Sequence, residues 1–77
     1  MGNSTFDDST IMINGQGFLH IENYRSILSY SDSEIRVQAK KYQISIGGNK
    51  LRIHYYDKDE MEVCGQIETV ILKQGGM

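Results

Sequence analysis

Apolar and polar side chains alternate along most of this chain. Ile35, Val37 and Ala39 interleave with Glu34, Arg36 and Gln38, and Tyr42, Ile44 and Ile46 with Gln43 and Ser45. Leu51, Ile53 and Tyr55 interleave with Lys50, Arg52, His54 and Tyr56, and Met61 and Val63 with Glu60, Glu62 and Cys64. Successive side chains of a strand face opposite sides, so period-two runs predict strands with one apolar row each. Less regular versions cover Ile11 and Ile13, Leu19 and Ile21 (with Phe18 on the other face), and Ser26 to Tyr30. A last strand is expected from about Gln66 to Leu72. The best helix candidate, Asp32 to Lys41 behind Ser31 or Ser33 as a cap, has its apolar residues at 35, 37 and 39. That spacing fits a strand and no helix face.

The gaps carry turn chemistry. Gly15-Gln16-Gly17 and Gly47-Gly48-Asn49 supply positive φ without steric cost, and Ser31-Asp32-Ser33 and Asp57-Lys58-Asp59 can bond their own backbone. Glu22-Asn23-Tyr24 reads as a further tight turn, and Gly65 either closes a strand or bulges it. The sum predicts an all-β domain, a small β-sandwich, roll or barrel of about eight short antiparallel strands. Residues 1–9 are polar and acidic and are expected to form a flexible arm, with the β domain at 10–72 and a frayed end at 73–77. Ile11-x-Ile13-x-Gly15-x-x-Phe18 is echoed 33 residues later by Ile44-x-Ile46-x-Gly48-x-x-Leu51, as two similar four-strand halves would produce.

Composition narrows the class. A chain of 77 residues is one domain, with thirty apolar residues of which ten are Ile, no Trp and no Pro. A lone Cys forms no internal disulfide. Apolar runs never exceed three residues, so no direct membrane insertion is expected, and the missing basic-then-apolar leader points to the cytoplasm. A net charge of −2 and a pI near 5.5 argue against general nucleic-acid binding. About half of the apolar residues lie on the inward rows. The others, including Met12, Leu28, Tyr56 and Leu72, require a folded-over second layer or a partner surface.

Candidate chemistry is sparse. His20, His54 and Cys64 are the only imidazole or thiol ligands, and no two share a short metal-binding spacing, so neither metal nor cofactor is expected. His54 and Cys64 fall on the polar faces of neighbouring strands, as ordinary surface groups do. The acids at 57, 59 and 60 lack the twelve-residue loop and central Gly of a calcium hand. Seven Ser residues include no Gly-x-Ser-x-Gly elbow, and no enzyme activity is expected. Gly47-Gly48-Asn49-Lys50 lacks the spacing of a phosphate loop and reads as a type I′ or bulged hairpin. Charge does segregate. Arg36, Lys50, Arg52 and His54 lie on the polar faces of the middle strands, with Lys40 and Lys41 at a turn, against Glu60, Glu62 and Glu68 at the end and Asp7 and Asp8 at the start. Such patches favour self-association or an oppositely charged partner. The alternative is a small nucleic-acid-binding barrel that uses the basic face, with Tyr42 or Tyr56 as stacking rings.

The block Ile21-Glu22-Asn23-Tyr24-Arg25-Ser26-Ile27 resembles the signature of the YqfC branch of the YabP/YqfC sporulation proteins. Glu34-Ile35-Arg36-Val37, Ile44-x-Ile46-Gly47-Gly48-x-x-Leu51-x-Ile53 and Met61-x-Val63-x-Gly65-x-Ile67 follow in matching order, so the similarity spans about residues 10–72. The resemblance implies a non-enzymatic protein of the mother cell in an endospore-forming Firmicute. It also implies an interaction or assembly role and a sporulation membrane protein as partner. The family supplies no catalytic residues. Arg25, Arg36, Lys50, Arg52, His54 and Tyr56 are the residues expected to meet a partner, and within the block Asn23 and Arg25 are expected to set the register of a hairpin.

Overall fold

The computed structural model describes residues 10–14 and 17–74. The expected N-terminal arm, Gly15, Gln16 and residues 75–77 lie outside the described residues. Among the described residues there are six strands and no helix: β1 (Thr10–Asn14), β2 (Phe18–Glu22), β3 (Ser26–Tyr30), β4 (Glu34–Gln38), β5 (Tyr42–Tyr56) and β6 (Glu60–Gln74). They form one antiparallel sheet in the order β1-β2-β6-β5-β4-β3. The all-β class is as expected, with six strands in place of eight.

Glycine accounts for the difference. The expected strands at 42–46 and 51–56 are two halves of β5, and those at 60–64 and 66–72 are two halves of β6. Gly47-Gly48-Asn49 is therefore no hairpin turn but a bend within a continuous strand. Lys50 and Leu51 stand opposite Gly65 alone, which is a β-bulge, and the ladder shifts again at Gly47/Gly48 and at Ile53/Tyr55. The backbones approach so closely there that a Cβ on Gly48 would run into the Gln66 carbonyl oxygen, and one on Gly65 into the Lys50 carbonyl oxygen. Gly65 has φ +126°, which L side chains rarely adopt. The 33-residue echo has no structural counterpart, because it sets the antiparallel pair β1 and β2 against two segments of the single strand β5.

The bends create the core. Of β5, β4 pairs with the first half alone, and of β6, β2 pairs with the first half alone. Leu19 and Ile21 of β2, Ile35 and Val37 of β4, Ile44 and Ile46 of β5, and Met61 and Val63 of β6 share one cluster and have no exposed surface. Among the described residues no helix and no second sheet covers them, so the sheet must fold over on itself at the bulges and bury one face against its own other half. The fold-over covers the inward rows alone: Met12, Leu28, Tyr56 and Leu72, which alternation left off those rows, remain exposed.

The turns follow the expected side-chain chemistry. Ser31 Oγ accepts the N–H groups of Ser33 and Glu34 between β3 and β4. Between β5 and β6, Asp57 Oδ1 accepts those of Asp59 at 2.9 Å and Glu60 at 3.0 Å. Glu22-Asn23-Tyr24 differs from expectation. β2 and β3 are not neighbours, so this block crosses between the two ends of the sheet and sets no hairpin register. Asn23, at φ 64°, makes the turn, its N–H reaching Asp59 O at 2.6 Å. Tyr24 is buried and its hydroxyl donates to the Asp57 carbonyl. Burial, with Asp57 next in weight, raises its phenol pKa.

The Asp57 carboxyl is held below its ordinary pKa by the N–H groups of Asp59 and Glu60. A carboxyl depressed on folding stabilises the fold above its unfolded pKa, about 3.9, and loses that contribution as pH falls through the folded value. Asp57→Asn is therefore expected to be less stable than the parent at pH 7 and to close that gap at pH 3. Urea unfolding at the two pH values measures it, and a gap independent of pH would remove the role given to Asp57.

Candidate functional site

The outer face of β2, β6 and the second half of β5 carries the densest polar cluster among the described residues. His20 lies directly opposite Glu62, and Glu22 directly opposite Glu60, so four side chains form a block on two adjacent strands. His20 Nε2 stands 3.4 Å from Glu22 Oε2 and 3.1 Å from Glu60 Oε1. His54 Nδ1 lies 2.9 Å from Glu62 Oε1. The imidazoles are the only basic groups within ion-pair distance of these three carboxylates among the described residues. Like charges directly across a ladder destabilise it, so Glu22 and Glu60 depend on what lies between them. One ligand atom each from His20, Glu22 and Glu60 falls within 4.8 Å of the other two, which makes these the residues that could hold a metal ion. Tyr55 Oη is 3.5 Å from His20 Nδ1. Partial burial, then the charges of Glu60 and Glu62, keep the Tyr55 phenol above its ordinary pKa.

A second feature is an apolar groove of about 540 Å³ where β3 approaches the second half of β5, lined by Ile27, Tyr30, Ile53, His54, Tyr55 and Tyr56. It exists because the sheet curls. Tyr30 lies opposite the core residue Ile35, so its ring turns to the core side at the rim, and its hydroxyl accepts the Ile53 N–H at 3.4 Å. Among the described residues, β5 from Arg52 to Tyr56 has only β6 as a strand neighbour, and β3 has only β4, so two strand edges open on this groove. Tyr30 and Tyr56 are more than half exposed.

The expected partner residues do not share one patch. Arg36 bonds Gln43 Oε1 at 3.1 Å and faces Ser45, far along β5 from Arg52. Lys50, at φ 53° in the bulge, and Arg52 border another groove with Phe18 and Cys64, where Arg52 Nε donates to Cys64 Sγ at 3.4 Å. His54 and Tyr56 line the aromatic groove, and Arg25 is exposed on the β2–β3 crossing. Alternation also assigned Tyr55 and Tyr56 to the wrong faces. The extra residue at His54 sets Tyr55 opposite Glu62 on the outside and Tyr56 opposite the core residue Met61. Missed altogether were His20 with Glu22 and Glu60, and the groove residues Ile27, Tyr30 and Ile53. Their one sequence signal is the i, i+2 pairs His20-x-Glu22 and Glu60-x-Glu62, which share a strand face.

Among the described residues no helix is long and apolar enough to cross a membrane. No curated protein matches the chain. A model of the YabP family matches residues 6–77, which take in all six strands, the aromatic groove and the histidine–glutamate block. With almost the whole sequence matched, this curled six-stranded sheet is a member of the sporulation-associated YabP family.

Proposed function

We propose that the chain is a non-enzymatic interaction module, acting in the mother-cell cytoplasm of a sporulating Firmicute and binding a protein partner through the groove between β3 and β5. The observation that carries this reading is the pair of open strand edges beside exposed Tyr30 and Tyr56. An extended segment can add to such an edge through main-chain hydrogen bonds, with alternate side chains entering the apolar groove. Tyrosine suits this use, because its ring buries area at small entropic cost while its hydroxyl stays solvated. Family membership supports a role in sporulation, and a sporulation membrane protein fits as the partner because an exposed cytosolic tail is an extended segment of this kind. The nucleic-acid alternative gains no continuous basic stripe, since Arg36 lies well away from Lys50 and Arg52.

Affinity capture from detergent-solubilised sporulating cells tests the reading. The Tyr30→Ser/Tyr56→Ser double variant is expected to lose proteins that the parent retains. An Ile71→Ser variant, equally exposed but on β6, is expected to keep them. Identical capture by all three chains would overturn the role of the groove. Size-exclusion chromatography of the purified chain separates this from self-association, which would appear as a dimer disrupted by the same double variant.

A further inference from the structure

We propose that His20, Glu22 and Glu60 form a binding site for one divalent transition-metal ion of the zinc class, with water completing its coordination. Zinc takes imidazole nitrogen and carboxylate oxygen at about 2.0–2.2 Å, usually tetrahedrally, which sets neighbouring ligand atoms roughly 3.3–3.5 Å apart. The two separations measured from His20 Nε2, 3.4 Å and 3.1 Å, lie close to that edge length. All three ligand atoms fall within 4.8 Å of one another, so one ion can touch all three with small side-chain adjustments.

Three further features point the same way. The ligands stand on strands and not on a loop: His20 and Glu22 alternate on one face of β2, and Glu60 faces Glu22 across the ladder. Secondary structure of this kind holds ligand geometry more tightly than loops do. Tyr55 Oη lies beside Nδ1 and can accept its proton, the outer contact that leaves Nε2 free for a metal. The block also holds three carboxylates, with imidazoles as their only basic neighbours among the described residues. A divalent cation between Glu22 and Glu60 would relieve their repulsion across the ladder. One imidazole among the ligands favours zinc-class ions over calcium or magnesium, which take oxygen ligands.

Zinc chloride titrated into the untagged full chain at pH 7.5, in competition with a chromogenic chelator, tests the proposal. One equivalent is expected to bind. His20→Ala and Glu60→Gln should each weaken binding roughly tenfold or more. His54→Ala, which removes the other imidazole, should leave it unchanged. Absence of binding, or binding that survives His20→Ala but not His54→Ala, would overturn the site. Should either variant lose its fold, imidazole NMR of the parent chain decides: zinc must shift the His20 resonances ahead of those of His54.

Discussion

Gly65→Ala is expected to unfold the domain or bring it close to unfolding. A methyl group at this position would run into the Lys50 carbonyl oxygen and stand 2.9 Å from Leu51 Cα, both backbone atoms of the opposing strand, and φ +126° is strained for any L residue. The two penalties together cost on the order of 3 kcal/mol or more. A domain of 77 residues has a stability of about 4–12 kcal/mol, so the loss is a large part of the whole. Gly47→Ala is the internal comparison. The obstruction there is the Thr69 Oγ1 atom at 2.6 Å, on a side chain that can rotate away, so a cost of about 1 kcal/mol or less is expected. Urea denaturation followed by circular dichroism reads both. A Gly65→Ala midpoint equal to the parent's would show that the bulge is not needed to fold the sheet over.

Ile46→Ala is expected to cost about 2–5 kcal/mol through lost burial and the cavity left behind. Ile46 has no exposed surface and belongs to the cluster that both halves of the sheet share. Ile71 sits one residue beyond Val70, the direct partner of Ile46, but points outward and is more than half exposed. Ile71→Ala should stay within about 0.5 kcal/mol of the parent. The contrast is a strong test because the two residues are chemically identical and lie close together on adjoining strands. A cost below 1 kcal/mol for Ile46→Ala would mean that the two halves do not close over a common core.

Alternation made β4 and the first half of β5 legible, because each presents one buried face and one face of polar side chains. The serine and aspartate turns were legible because their side chains bond locally. The length of β5 and β6 was not. Gly47-Gly48 and Gly65 allow positive φ and close approach, and both a turn and a bulge use these properties. The choice between them depends on whether a partner strand runs alongside, which local sequence does not record. A separate irregularity, the extra residue at His54, shifts parity there, which is why Tyr55 and Tyr56 exchanged faces. The histidine–glutamate block was hidden for a related reason. His20 and Glu60 become neighbours only through the β2–β6 register, and no short spacing announces it. The aromatic groove depends on curvature, and curvature belongs to the whole sheet.

The pairing of β2 with β6 also governs when this protein can acquire its structure. Leu19 and Ile21 find their ladder partners in Val63 and Met61, on β6, about forty residues further along the sequence. Until that strand has left the ribosome, the β1–β2 hairpin has no neighbour, and an isolated two-stranded hairpin is at best marginally stable in water. The β3-β4-β5 meander can form earlier from contacts close in sequence, but one flank of β5 awaits the same strand. Pairings this distant in sequence carry a loop-closure cost before any contact compensates it, and they slow folding. Acquisition of structure is thus coupled to the emergence of β6, and a polypeptide stalled before that point would expose the apolar rows of β2 and β4 together.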